Sequence, residues 1–198
     1  MHIAILTFDG FNELDSLIAL GILNRIKKPG WRVSIASPSE RVESMNGVVM
    51  ERHIDLHAAS SADVVLVGSG MKTRDVVADG SIMAQLRLGP SRQLIGAQCS
   101  GALVLSKLGL LKGVPACTDL TTKPWIEATG IEVLEQAFFA QGNVATAGGC
   151  LASSYLALWV IARTEGIDAA ASAMHYVAPV GEKERYVTLA ISHIEPFL

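Results

Sequence analysis

The sequence predicts a single α/β domain in which mostly parallel strands are joined by crossover helices. Apolar runs of strand length alternate with segments of helical length along the whole chain. Half of the 198 residues are hydrophobic, which suffices for one large core. No internal repeat, linker or low-complexity tract interrupts the pattern, so we expect residues 1–198 to form one domain.

The first part of the chain follows this alternation closely. Residues 3–8 predict a strand, and apolar residues at helical spacing predict a helix over residues 12–28, before the stop signals Pro29 and Gly30. Residues 31–37 predict a second strand, and residues 48–56 predict a half-exposed hairpin or edge element. Residues 62–67 predict a central strand that ends at a glycine-rich turn.

The second part predicts more of the same elements. Helices are expected over residues 73–88 and 100–107, and strands over residues 93–98, 114–118 and 143–147. The last of these strands leads through Gly148 and Gly149 into a long apolar helix that ends near residue 164. The tail from residue 181 is less regular, and residues 186–191 predict a late edge strand.

One junction in this pattern places a thiol at a sharp corner. The strand over residues 93–98 runs directly into Cys99, Ser100 and Gly101, which open the next helix. Unpaired backbone N–H groups and the helix macrodipole favour an anion there, and such surroundings lower a thiol pKa from its ordinary value of about 8.5. Cys99 is therefore either a nucleophile at an elbow or a small apolar core residue.

Three loops could converge at this elbow, because ligands bind beyond the carboxyl ends of the strands in an open α/β sheet. These loops cover residues 9–15, 68–71 and 98–101. A cysteine nucleophile needs a proton partner and N–H donors. Ser100 and the glycine turn could supply the donors, although such a turn is often only a turn. Asp9, Glu13 and Asp15 are the candidate acids, and Asp15 could equally support a helix N-cap at Asn12.

Other functional classes find little support. No phosphate-binding glycine motif, CxxC motif or Cys/His cluster is present, and His53 and His57 lack a third ligand, so we expect no metal and no cofactor. The net charge of −3, without a basic run, argues against nucleic acid and anionic membranes as partners. The apolar stretch over residues 151–162 is too short to span a bilayer.

The three cysteines indicate a reducing compartment. Their number is odd, and the N-terminus does not resemble a signal peptide, so a cytoplasmic location is expected. Cys117 and Cys150 have apolar neighbours and are interpreted as buried structural thiols, although Cys117 could lie near the site. High hydrophobicity with few charges also fits a homo-oligomer.

Several motifs in order resemble the ThiJ/PfpI superfamily of class I glutamine amidotransferase-like proteins, and most of all its isonitrile hydratase branch. They lie at residues 6–15, 63–70, 99–102, 108–113 and 146–149. The resemblance covers almost the whole chain. It implies a flavodoxin-like three-layer sandwich with a nucleophile elbow, a small-molecule substrate and a homodimer.

The resemblance also implies roles for individual residues. Cys99 takes the position of the nucleophile, Asp15 that of the acid facing the thiol, and the N–H groups of Ser100 and Gly70 form an oxyanion pocket. The hydratase branch carries an aspartate and a hydroxyl residue in the places of Asp15 and Ser100. Its chemistry is thiolate attack on an isonitrile carbon, protonation by the aspartic acid and addition of water.

Asp119 departs from the family pattern, because many members keep a histidine where it stands. A carboxylate near Cys99 would raise the thiol pKa. Asp119 could instead point away, or share a proton with Asp15. The alternatives to a hydratase are a glyoxalase- or amidase-type hydrolase, and a non-catalytic binding or redox- and stress-sensing protein in which a sulfinate on Cys99 is held by Asp15 and backbone N–H groups.

Overall fold

The computed structural model describes residues 1–198 and contains a six-stranded sheet between two helical layers. The strand order is β2-β1-β5-β6-β8-β7, in which only β7 is antiparallel to its neighbour. The strands of this sheet are β1 (His2–Leu6), β2 (Arg32–Ala36), β5 (Val64–Val67), β6 (Leu94–Gln98), β7 (Phe138–Gln141) and β8 (Val144–Ala147). A separate hairpin consists of β3 (Arg41–Glu43) and β4 (Val49–Glu51).

Helices cover both faces of the sheet, because alternate strand residues point to opposite sides. Ile3 and Ile5 belong to one apolar core, and Ala4 and Leu6 belong to the other. The first core is covered by α1 (Glu13–Leu23), α7 (Ser153–Glu165), α8 (Ile167–Val177) and α9 (Lys183–Ile194). The second is covered by α2 (Leu56–Ala59), α3 (Thr73–Ala78), α4 (Gly80–Met83), α5 (Gly101–Lys107) and α6 (Lys123–Glu127).

These layers confirm the predicted flavodoxin-like α/β class and most of its elements. Two elements differ in detail. The helix predicted over residues 12–28 ends at Leu23, and the helix predicted over residues 73–88 is divided at Asp79. The carboxylate of Asp79 accepts hydrogen bonds from the N–H groups of Ser81 and Ile82 and so starts a new helix.

Two strand predictions are wrong. Residues 114–118 form only an isolated bridge, between Ala116 and Val133. Residues 186–191 lie in α9, where Ala190 and Ile194 are buried four residues apart, the spacing of one helical face. Five observed elements have no counterpart among the predicted ones: β3, β7, α2, α6 and α8. None of the helices combines the length and the hydropathy that a membrane crossing needs.

Candidate active site

Four loops meet at the carboxyl edge of the sheet, because β1, β5, β6 and β8 are parallel neighbours. The first two loops are tied together by a hydrogen bond of 2.8 Å from the Asn12 N–H to the Ser69 carbonyl. Gly70 permits this approach, since a Cβ at that position would lie 2.7 Å from the Gly10 carbonyl oxygen. The predicted convergence of the loops therefore occurs, with the loop after β8 as a fourth member.

The elbow holds Cys99 in a conformation that non-glycine residues rarely adopt. Its φ is 44°, and it is the only non-glycine residue with positive φ. The Cys99 N–H donates to the Ala147 carbonyl at 2.8 Å, and the Cys99 carbonyl accepts a hydrogen bond from Thr118 Oγ1 at 2.8 Å. These bonds fix the backbone, and the Ser100 N–H that follows donates to no acceptor in the chain.

Asp15 projects into the protein from the first turn of α1. Asn12 caps this helix, since its Oδ1 accepts the Leu14 N–H at 3.0 Å. The Asp15 carboxylate is fully buried and accepts a hydrogen bond of 2.5 Å from Ser69 Oγ. Burial raises the pKa of Asp15 to about 6, while the hydrogen bonds from Ser69 and Ser16 act in the opposite direction. Asn12 therefore does the capping, and Asp15 is free to exchange a proton near neutral pH.

Cys150 also lies in the site, contrary to its interpretation as a buried structural thiol. It is half-buried at the start of a 3₁₀ turn, Cys150–Ala152, that follows β8. The sulfur atoms of Cys99 and Cys150 and a carboxylate oxygen of Asp15 all lie within 4.8 Å of one another. The Asn12 side-chain amide donates to Cys150 Sγ at 3.1 Å. The site is thus an Asp/Cys/Cys cluster.

The electrostatic surroundings favour the neutral thiol of Cys99. Burial raises the pKa of Cys99 strongly, and the negative charge of Asp15 raises it further, followed by smaller contributions from Cys150 and Asp119. A backbone N–H of Gly149 acts in the opposite direction. The resting site consequently holds a thiol beside a carboxylate, and the expectation of a lowered thiol pKa at the elbow is wrong for this state.

The two predicted oxyanion donors differ in availability. The Ser100 N–H has no acceptor, but the Gly70 N–H donates to Ser100 Oγ at 3.0 Å. The same hydroxyl lies 2.8 Å from Thr73 Oγ1. The Ser100 side chain must rotate before the Gly70 N–H can reach a substrate.

Asp119 caps its own turn rather than facing the cluster. Its Oδ1 accepts the N–H groups of Thr121 and Thr122, both at 2.9 Å, and its Oδ2 accepts a hydrogen bond from Thr122 Oγ1 at 2.7 Å. The Asp119 charge is therefore engaged locally, which agrees with its small contribution to the pKa of Cys99.

Sequence reasoning also missed polar residues around the cluster. Ser69 binds Asp15, and Thr118 binds the Cys99 carbonyl. The Gln98 side chain, directly before Cys99, is buried without a hydrogen-bond partner for either polar atom. Cys150 could have been found, because Gly148 and Gly149 follow a strand that was itself expected, at the same edge of the sheet.

The comparisons with known proteins agree with this architecture. Schizosaccharomyces pombe DJ-1 has a TM-score of 0.77 at 15% identity, covering 90% of this chain and 100% of that one. A ThiJ/PfpI family protein from Pseudomonas syringae has a TM-score of 0.80 at 20% identity, covering 98% and 87%. Toxoplasma gondii DJ-1, in an oxidised form, has a TM-score of 0.76 at 21% identity, covering 89% and 97%.

At these identities the structural neighbours show the shared fold alone. No curated protein is significantly similar to the chain in sequence. The model of the DJ-1/PfpI family, however, matches residues 1–163, which include every residue of the Asp/Cys/Cys cluster. The chain therefore belongs to the DJ-1/PfpI family.

Proposed function

We propose that the protein is a cysteine-dependent enzyme that hydrates isonitriles to N-substituted formamides. The observation that carries the proposal is a buried carboxylate, Asp15, whose pKa of about 6 suits proton exchange near neutral pH, within 4.8 Å of the Cys99 sulfur. Only 4% of Cys99 is exposed, so a slender, linear electrophile reaches its sulfur more readily than a branched one.

The first half of the reaction uses the thiol proton. Asp15 accepts it as the Cys99 sulfur attacks the terminal carbon of the isonitrile, and then returns it to that carbon. The product is a thioimidate in which the sulfur is bonded to an N=CH group. The proton moves within the site, so the low acidity of the resting thiol is no obstacle to attack.

Hydrolysis of the thioimidate completes the cycle. Asp15 accepts a proton from a water molecule as its oxygen adds to the carbon, and passes this proton to the nitrogen. The tetrahedral adduct then collapses: its hydroxyl proton passes through Asp15 to the sulfur as the C–S bond breaks, which gives the formamide and the Cys99 thiol. The Ser100 N–H stabilises the developing charge, with Gly70 as a second donor once the Ser100 hydroxyl has turned away.

An isonitrile panel tests this proposal. Alkyl and aryl isonitriles are incubated with the protein, and the formamides are measured by NMR or mass spectrometry. We expect turnover by the wild type and by Cys117→Ala, and a loss of about 10⁴–10⁶-fold in Cys99→Ala. Equal rates in Cys99→Ala and the wild type would overturn the mechanism, and turnover of 2-oxoaldehydes alone would favour the hydrolase alternative.

Redox or stress sensing is a second candidate function, favoured by the second sulfur beside Cys99. Toxoplasma gondii DJ-1 is described in an oxidised form, which is a property of that protein. If the isonitrile panel gives no turnover while peroxide modifies Cys99 selectively, the sensing function replaces the enzymatic one.

We also propose that the protein acts as a homodimer, as the family resemblance implies. An apolar groove of about 550 Å³ lies between α1, α8 and α9, and it is lined by Leu17, Leu151, Val177 and Leu189 among others. All four of these side chains are exposed. A second copy of the chain would cover them. Light scattering should give twice the chain mass for the wild type and the monomer mass for Leu17→Glu.

A further inference from the structure

We propose that Cys150 is a modification partner of Cys99 and that the two thiols form a reversible intramolecular disulfide. Both cysteines are free, and their sulfur atoms lie within 4.8 Å of each other. A disulfide bond is about 2.0 Å long, so the sulfur atoms need to approach by at most about 3 Å. The inference goes beyond isonitrile hydration and does not depend on it.

Cys150 is the side that moves. Its predecessor, Gly149, has a φ of 90°, and the space around the position of its missing Cβ is empty within 4 Å. Cys150 itself is half-buried and opens a turn of three residues. Cys99, in contrast, is held by hydrogen bonds at both its N–H and its carbonyl. A glycine joint before a partly exposed thiol permits the approach.

The chemistry balances with a hydroperoxide as the oxidant. The Cys99 sulfur attacks the terminal oxygen, the O–O bond breaks, and the alkoxide or hydroxide leaves as an alcohol or water with the thiol proton. Cys99 is then a sulfenic acid. The Cys150 sulfur attacks the Cys99 sulfur, the S–O bond breaks, and water leaves with the Cys150 proton. The two sulfur atoms lose two electrons to the peroxide, and a dithiol later returns them.

Asp15 and Asn12 assist the two oxidation steps. The Asp15 carboxylate lies near both sulfur atoms and can accept either thiol proton. The Asn12 amide binds Cys150 Sγ and holds it at the site. The consequence is protection, because a sulfenic acid that is trapped as a disulfide cannot be oxidised irreversibly to the sulfinic acid.

Cys117 is a matched control for this pair. It is buried like Cys99, but its backbone N–H donates to Thr146 Oγ1 and it is outside the Asp/Cys/Cys cluster. Its oxidation should therefore be slow. The Cys117→Ser variant should form the same disulfide as the wild type, whereas Cys150→Ser and Cys150→Ala should form none.

The experiment is titration with hydrogen peroxide followed by mass spectrometry under non-reducing conditions. We expect the wild type and Cys117→Ser to lose two hydrogen atoms and yield a linked peptide pair containing Cys99 and Cys150, which dithiothreitol separates. In the two Cys150 variants, Cys99 should instead gain two oxygen atoms. Circular dichroism checks that each variant is folded.

Two results would overturn the proposal. One is sulfinate formation on Cys99 at equal rates in the wild type and in the Cys150 variants, with no linked peptide. The other is a linked peptide that contains Cys117. The disulfide is detected by mass, and the hydratase activity is detected by formamide production. Either result can be obtained without the other, so the two proposals can fail separately.

Discussion

Cys99 and Cys117 are two buried thiols with opposite surroundings. Burial raises the pKa of both, to about 12 for Cys117. Besides burial, the one group that acts on the pKa of the Cys117 thiol is the Thr146 hydroxyl, whereas Cys99 has a carboxylate and a second sulfur within 4.8 Å. A cysteine that is only buried is inert. A buried cysteine beside a group that accepts its proton can still act as a nucleophile. Three substitutions test this difference.

Asp15→Asn should have the largest effect, because it makes Cys99 resemble Cys117. We expect formamide production to fall by about 10²–10⁴-fold, since the proton acceptor is lost. The folded-state pKa of Asp15, about 6, exceeds the ordinary value of 3.8, so its ionisation lowers stability as pH rises between these values. At pH 7 the substitution should therefore raise the free energy of unfolding, by up to about 3 kcal/mol.

Urea denaturation at pH 4 and pH 7 measures this second effect. The gain in stability should be large at pH 7 and small at pH 4. Asp9→Asn is the control, and it should lower the free energy of unfolding at pH 7. A hydrogen bond from Lys72 lowers the pKa of Asp9, so the folded state stabilises the charged form of that carboxylate. A destabilised Asp15→Asn at pH 7 would show that the carboxylate is structural.

Ser69→Ala should have an intermediate effect. The Ser69 hydroxyl stabilises the charged form of Asp15, so its removal raises the pKa of Asp15 further. The acidic limb of the pH profile of kcat/KM, expected near pH 6, should move up by roughly one pH unit. Ser16→Ala, which removes a longer hydrogen bond of 3.4 Å, should move it less. If the two variants shift the acidic limb equally, or do not shift it, the limb does not report the ionisation of Asp15.

Asp119→Asn should have the smallest effect on activity. The carboxylate is engaged in its own turn, so the rate should change by less than about threefold. Asn keeps an Oδ1 acceptor for the backbone N–H groups and loses only the Oδ2 acceptor for Thr122 Oγ1, so stability should fall by less than about 1 kcal/mol. Steady-state kinetics and thermal unfolding measure the two quantities. A rate increase of more than about tenfold would mean that Asp119 governs the reactivity of Cys99 after all.

The sequence could predict where the site lies but not how its groups are charged. Parallel neighbouring strands bring their carboxyl ends together, so the approach of Asp15, Gly70 and Cys99 follows from chain order. The direction of the Asp15 side chain does not, because Asn12 and Asp15 also fit a simple helix start. The raised pKa of Cys99 depends on burial and on the nearby charge of Asp15, and both are properties of the assembled fold.

The same limit explains the errors outside the site. The β-branched and aromatic residues of the tail favour a strand locally, yet Ala190 and Ile194 are buried against the first core along one helical face. Residues 114–117 are apolar, but within the predicted strand only Ala116 forms a β-bridge, to Val133. In both cases packing partners far along the chain decide the outcome.

The backbone bonds at Cys99 make the geometry of the nucleophile depend on segments that follow it in the chain. Its N–H is held by Ala147 and its carbonyl by Thr118, residues that lie far beyond it in sequence. A chain in which β8 or the Thr118 segment has not docked cannot hold the left-handed turn at φ 44°. A partly folded or locally opened molecule would therefore expose an ordinary, flexible thiol, and the chemistry of Cys99 reports whether the domain is complete.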